Sequence, residues 1–397
     1  MTRGPFSGLS RDNRFLLFAL FSWGTGEGLF TYIQPLYLRQ LGAEPVAIGS
    51  TLALAAAAAG FSHIPAGYLA DRFGRKPLLL AGWFLGAAAT LVMFLARDLR
   101  VFVPALIAFT FTGFVSAPIN AYASAARGAQ SVQRAITMVS AGFWAGTILS
   151  PALGGVIARL SSLRMVFGVA AVAFVISSIA ILFVSPQPRD TPIDGGPRYA
   201  GLFANRRFLG FAALMFVALL AMQVGLPFMP NFVVEARGFD VGLVGLLGSA
   251  NSLGTVVLQL TIGQRLPRRG FMLAQACLAL SLLIMLATTT QGWLFGVYFL
   301  RAGWYVAHSL SAAQVGRVVA NAEIGLAYGI IETVTAVATI GGSLAAGLLY
   351  ARGASLPFVI SLVLIVASIP LVWRFAPRRD AHSPQLEPAE VGPAALL

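Results

Sequence analysis

Gly67-Tyr68-Leu69-Ala70-Asp71-Arg72-Phe73-Gly74-Arg75-Lys76 packs one acid and three bases between two apolar runs, residues 46–69 and 77–96. Each run is as long as the roughly 20 helical residues that cross a bilayer core about 30 Å thick. The charges therefore mark a tight turn at a membrane surface. Outward from this point the same alternation covers the chain, and twelve stretches qualify: 14–38, 46–69, 77–96, 101–124, 134–158, 164–184, 207–234, 241–263, 270–289, 292–316, 323–350 and 355–374. They are called spans 1 to 12 below. The composition agrees: 58% of the 397 residues are hydrophobic and 10% charged, against roughly 45–50% and 25% in a soluble domain. A mean hydropathy of +0.81 over the whole chain excludes a water-soluble globular fold. Most spans lack a charge and are too long for barrel strands, so helices are the expected spanning element and a β-barrel is excluded. The expected fold class is an all-α membrane protein.

The net charge of +13 would suggest nucleic acid in a soluble chain, but here the basic residues fall a few at a time between apolar runs. No nucleic-acid partner is expected. With the N-terminus in the cytoplasm, 19 of the 27 Lys and Arg lie in cytoplasmic segments and seven in outer loops, and Arg301 alone lies within a span. That bias fits the positive-inside rule for an even number of spans with both termini cytoplasmic. The expected location is the cytoplasmic (inner) membrane, crossed many times. The first apolar run has no Ala-x-Ala exit and flows into a full span, so no cleavable signal is expected. One cysteine, Cys277, allows neither an intrachain disulfide nor a Cys-based metal site. No metal or cofactor is expected.

The longest polar interruption, 185–206, contains Pro186, Pro188, Pro192, Gly195, Gly196 and Pro197 and reads as a linker. It divides the chain into a cytoplasmic segment 1–13, a six-span bundle 14–184, the cytoplasmic linker 185–206, a second six-span bundle 207–375 and a cytoplasmic tail 376–397. The halves echo each other: Gly263-Gln264-Arg265-Leu266-Pro267-Arg268-Arg269 after span 8 aligns with the decapeptide after span 2. Repeats related by an axis along the membrane normal suit carriers whose substrate lies between the halves near the midplane.

The decapeptide resembles the loop motif between the second and third helices of the major facilitator superfamily, Gly-x-Leu-Ala-Asp-Arg-x-Gly-Arg-Lys, at every fixed position. With the span count and the central loop, the resemblance covers essentially the whole chain. It implies two six-helix bundles, alternating access, and spans 1, 4, 7 and 10 around a central cavity. It also implies a gating role for Gly67, Asp71, Arg72, Gly74, Arg75 and Lys76, with Asp71 meeting the N-terminal end of span 11 near Asn321 to Glu323. In span 5, Gly146-Thr147-Ile148-Leu149-Ser150-Pro151-Ala152-Leu153-Gly154-Gly155 resembles the Gly-x-x-x-Gly-Pro-x-x-Gly-Gly element of 12-helix drug/proton antiporters in this superfamily. Ser150 stands where that element has a glycine, and span 4 lacks the arginine those antiporters usually carry.

Charged groups inside spans are costly and are functional hypotheses by default. Glu27, within Trp23-Gly24-Thr25-Gly26-Glu27-Gly28, is a proton-coupling or substrate carboxylate, or else a structural hydrogen-bonding group; Thr31 and Gln34 extend its polar stripe. Arg301 in span 10 needs an anion or a wet cavity, or else snorkels to the headgroups. Tyr305 and His308 share its helical face, and the superfamily arrangement brings Glu27 and Arg301 into one compartment, with Glu332 in span 11 as an alternative partner. His63 in span 2 either titrates or bonds a neighbouring helix. Thr112, Ser116 and Asn120 in span 4, and Asn251, Thr255 and Gln259 in span 8, line a polar path or bond helix to helix. Gln223 in span 7 is a further cavity-lining candidate, and Trp144, Phe216 and Trp304 suit an apolar or cationic ligand or serve packing.

No Gly-x-x-x-x-Gly-Lys-Ser/Thr run, His-Glu-x-x-His or nucleophile elbow occurs, so neither ATP-driven transport by this chain nor an enzyme is expected. The expected function is proton-coupled export of amphiphilic or drug-like small molecules by a monomeric secondary-active carrier. The alternative is a carrier or uniporter for a polar metabolite such as a sugar or organic anion, with Arg301 holding the charge.

Overall fold

The computed structural model describes residues 8–128, 130–187, 205–264, 269–315, 318–319 and 324–375, without the side chains of 63–72, 117, 133 and 324–326. Among the described residues every regular element is helical. Ten helical stretches are long and apolar enough to cross a membrane, so the chain is a multi-pass membrane protein. Spans 1 and 10 are not among the ten. The first is a helix Arg11–Phe30 that carries Arg11, Asp12, Arg14 and Glu27, followed by a separate helix Gln34–Gln40. The second divides into Gln291–Arg301 and Gly303–Gln314, each too short to cross alone.

Helix starts are set by the short polar residues that precede the apolar runs. Ser10, Asp98, Ser131, Ser162, Asn205 and Asp240 each accept a hydrogen bond from a backbone N–H in the first turn of the following helix. Each such cap is worth about 1 kcal/mol. Gly74 starts the helix Arg75–Leu95 with φ of 86°, a left-handed conformation that accounts for a glycine at this point of the decapeptide.

Spans 1, 4, 7 and 10, expected as continuous helices, are all interrupted. Turns separate Phe30 from Gln34 and Gln223 from Met229, a 3-10 segment Thr112–Val115 divides Leu99–Phe111 from Ser116–Ala125, and the break in span 10 falls at Ala302. Irregular backbone at membrane depth is tolerated only where other protein groups or a wet cavity satisfy it.

Helices of the first half pack mainly on one another: span 1 lies against spans 5 and 6, and span 3 against span 6. In the second half span 7 lies against spans 11 and 12, and span 9 against span 10. The halves meet chiefly through span 2 on span 11 and span 5 on span 8. The core of the first half is aromatic, with Trp23 edge-on to Phe174 at 4.6 Å and Phe30 stacked on Phe167 at 5.2 Å.

Small residues let span 5 approach two helices at once. A Cβ at Gly146 would fall on the Phe21 carbonyl oxygen and one at Gly154 on that of Leu29, both in span 1. Pro151 and Gly155 face the other way, against Gly245 and Gly248 of span 8. There Ala152 N–H donates to Ser249 Oγ at 3.1 Å, a bond from one half to the other. The glycines of the span 5 element thus serve contact with spans 1 and 8.

Candidate functional site

Among the described residues three cavities bear on the site, one within the first half and two between the halves. The largest, about 480 Å³, is lined by Trp23, Glu27, Trp83, Phe109 and Trp144, with Thr112, Ser116 and Asn120 from the interrupted span 4. A second, about 250 Å³, is lined by Thr31, Tyr32, Gln34, Gln223, Arg301, Trp304 and Tyr305. A third, about 120 Å³, has Glu27, Thr31, Trp144, Asn251, Thr255 and Tyr305 in its wall and so adjoins both. The helix breaks place these groups: Thr31 and Gln34 flank the first, Thr112 starts the second, Gln223 ends the helix before the third and Arg301 the helix before the fourth.

Glu27 Oε2 accepts a hydrogen bond from Trp23 Nε1 at 3.2 Å, one helical turn away. The carboxylate therefore has one indole donor and an aromatic wall, and no ion pair with Arg301 forms among the described residues. This corrects the single compartment expected for the two. They line different cavities, and what joins them is the third cavity together with Thr31, Tyr32 and Tyr305.

Arg301 ends its half-helix about 15 Å from the first residue, Gln291, at 1.5 Å per residue. Its guanidinium is engaged inside the protein, with Nε buried, which favours the cavity reading over the snorkelling one. Nη1 donates to Asn251 Oδ1 at 3.0 Å, and the guanidinium lies over the rings of Tyr32 at 5.4 Å and Tyr298 at 5.8 Å. Asn251 is buried and is the member of the span 8 stripe that meets the arginine; Thr255 Oγ1 donates to the Asn251 backbone carbonyl at 3.0 Å.

Glu332 is not the partner of Arg301. It pairs with His308 Nε2 at 3.2 Å, and the imidazole stacks on Trp304 at 5.7 Å. His308 thus leaves the cavity that Tyr305 lines. Gln259 and Phe216 line none of the three cavities; Gln259 opens the π-helical segment Gln259–Gly263 instead.

Of the decapeptide, Gly67, Asp71 and Arg72 lie on the helix Pro45–Phe73, but the side chains of Asp71, Arg72 and His63 fall outside the described residues, as do Asn321 to Glu323. Arg75 Nη1 donates to Gln187 Oε1 at 2.9 Å and Lys76 Nζ to the Leu182 carbonyl at 3.3 Å. Gln187 Nε2 in turn donates to the Tyr122 carbonyl at 3.1 Å. These bonds tie the loop to the ends of spans 4 and 6 within its own half.

Sequence reasoning does not point to Tyr32, Tyr298, Trp23 or Trp83 as site residues. Trp23 stands four residues before Glu27 and Tyr298 three before Arg301, so helical spacing from the two charges is the available signal. Tyr32 sits at a helix break and has none.

The Major Facilitator Superfamily profile matches residues 16–226 and 211–397. Multidrug resistance protein 1 of Bacillus subtilis is 21% identical over 372 residues, covering 90% of this chain and 95% of that protein. Tetracycline resistance protein, class G, of Vibrio anguillarum is 24% identical over 368 residues, covering 88% and 94%. Among solved structures, the nucleoside transporter NupG superposes with a TM-score of 0.75 at 16% identity, over 92% of this chain and 98% of that one.

Proposed function

The chain belongs to the major facilitator superfamily and is a transporter, not an enzyme; from that premise we propose that it exports amphiphilic, drug-like small molecules against a gradient by coupling to protons. The observation that carries this reading is Glu27 in the wall of the 480 Å³ aromatic cavity, where a carboxyl group meets Trp23, Trp83, Phe109 and Trp144. A carboxyl at membrane depth changes charge state with its access to water and to ligand. Unequal affinity of the two facing states for proton and substrate is what coupling requires. Full-length likeness to proteins named for multidrug and tetracycline resistance supports the substrate class.

The reading includes twelve crossings, with spans 1 and 10 each completed by two helical pieces. It further includes bundles 14–184 and 207–375, both termini on the cytoplasmic side of an inner membrane, and a working monomer. Exchange of access through the junction of the halves, where the second and third cavities lie, constitutes alternating access.

The test is flux of amphiphilic fluorescent dyes, one cationic such as ethidium and one anionic such as fluorescein, in proteoliposomes with and without a pH gradient. Glu27→Gln keeps size and hydrogen-bonding capacity but cannot cycle a proton. It should abolish pH-driven accumulation and leave downhill exchange measurable. Uphill transport by Glu27→Gln would sink the coupling role of this residue.

A further inference from the structure

Apart from Arg301 the second cavity is lined by neutral side chains, among them the amides of Gln34 and Gln223 and the hydroxyls of Thr31 and Tyr305, with no acidic residue in its wall. Arg301 brings a permanent positive charge, and one of its hydrogen bonds, Nη1 to Asn251 Oδ1, is met by the protein at 3.0 Å. Its Nε is buried with no acceptor, and so is the indole Nε1 of Trp304, which lines the same cavity. The hydroxyl of Tyr298, whose ring lies beneath the guanidinium, is likewise buried without a partner. Guanidinium and indole N–H groups are donors only, so nothing in their own chemistry lets them satisfy each other.

The charge is equally uncompensated. No carboxylate lies within 4.0 Å of Arg301 among the described residues, and the acids nearest in function are engaged elsewhere: Glu27 with Trp23, Glu332 with His308. A buried guanidinium without a counter-ion is expensive, whereas a paired and hydrogen-bonded one is tolerated. The rings of Tyr32 and Tyr298, a hydrogen bond with the Tyr32 hydroxyl and the Asn251 amide oxygen hold the fork in place but supply no negative charge. The surroundings orient Arg301 for a planar, two-oxygen acceptor and then leave that acceptor out.

We propose that the cavity lined by Arg301, Trp304, Tyr305, Tyr32 and Gln223 is a head-group site for a carboxylate, or a similar planar oxyanion, borne by the transported molecule. This rests on the export reading and narrows its substrate class to amphiphilic aromatic anions. The volume fits a head group better than a whole ligand: 250 Å³ falls below the roughly 300 Å³ where drug-sized pockets begin. The third cavity leads from it past Thr31 and Tyr305 to the aromatic cavity at Glu27, which has the apolar walls to take the remainder. Anion and proton sites are then separate, so a coupling carboxylate does not compete with the substrate's charge for the same arginine.

The experiment is equilibrium binding, which does not depend on coupling. The full chain is placed in phosphatidylcholine nanodiscs and radiolabelled 2-naphthoate is bound by scintillation proximity. Unlabelled 2-naphthoate, 2-naphthamide and 2-naphthylmethylammonium are the competitors. The acid should displace the label at least about tenfold better than the amide, the discrimination expected when a charge-assisted hydrogen bond is lost. Arg301→Gln should remove that preference, Arg301→Lys should restore only part of it because the planar fork is gone, and Trp304→Phe should weaken the acid several-fold without affecting the amide. Equal competition by acid and amide in the unmodified protein overturns the proposal whatever the variants do. So does absence of saturable binding up to about 1 mM, the upper end of ordinary carrier and enzyme affinities. Full displacement of naphthoate by added phosphatidylglycerol, with none by phosphatidylcholine, would assign the site to a lipid head group instead and overturn it too. Loss of pH-driven flux with naphthoate selectivity intact would defeat the export reading alone.

Discussion

Glu27 and the pair His308–Glu332 offer two routes for a proton, and their settings differ. Glu27 lines two cavities and has one indole donor, whereas the His308 and Glu332 side chains are 30% and 53% exposed and satisfy each other at 3.2 Å. An exposed pair of this kind contributes about 0–1 kcal/mol to stability. Glu332→Gln should therefore shift thermal unfolding by no more than that and leave pH-driven transport standing, while Glu27→Gln should remove pH-driven accumulation without unfolding the protein. Measuring both variants in the same liposomes separates the routes. Reversal of the two phenotypes would move coupling to span 11.

At the scale of elements, the four interrupted spans and the glycine-lined span 5 do opposite things. Breaks at Thr31, Thr112, Gln223 and Arg301 release side chains and backbone toward the cavities. Span 5 leaves no room for a side chain between itself and span 1: a Cβ at Gly154 meets the Leu29 carbonyl, and a backbone atom does not yield as a side chain would. Gly154→Leu should cost about 1–3 kcal/mol, as overpacking of a tight contact does, and lower the melting temperature. Gly210→Ala is the control, since nothing lies within 4 Å of its added Cβ and a helix-interior Gly to Ala change gains roughly 0.5–1 kcal/mol. A melting temperature unchanged by Gly154→Leu would show that spans 1 and 5 are loosely held.

At the scale of the whole molecule, close backbone contacts between the halves among the described residues include two glycine crossings near one end. The backbones of Gly49 and Gly347 meet there, as do those of Gly155 and Gly245, and Arg39 bridges Glu44 at 3.1 Å and Glu235 at 3.9 Å. On the proposed topology, with both termini cytoplasmic, this is the outer end, and the halves touch there. The longer Arg39–Glu235 pair is partly exposed and worth at most about 1 kcal/mol, so the contact rests on the two glycine crossings. Gly155→Leu with Gly49→Leu should pry that end open. In a Cys277→Ser background, a thiol introduced by Gln34→Cys should then react faster with a membrane-impermeant maleimide added outside, whereas Arg39→Ala should change the rate little. An unchanged rate in the double leucine variant would place the closure elsewhere.

The amino-acid sequence by itself determined the membrane class, the helical stretches and the family, because the cost of unpaired backbone in lipid forces long apolar helices and a tight charged turn between them. It also marked Glu27 and Arg301, since an ionisable group in a span stands out against an apolar background. It did not show that spans 1, 4, 7 and 10 are broken. Their hydropathy runs on unbroken, and the glycines and prolines near the breaks have counterparts inside intact helices, such as Pro151 and Pro370. Nor did it show that Arg301 answers to Asn251, Tyr32 and Tyr298 and not to Glu27 or Glu332. Partners on other spans are chosen by helix rotation and depth, and these follow from which small residues let two backbones touch. Only the tertiary packing, with span 5 held between spans 1 and 8, set that rotation, and with it left the Arg301 Nε, the Trp304 indole N–H and the Tyr298 hydroxyl buried without a partner.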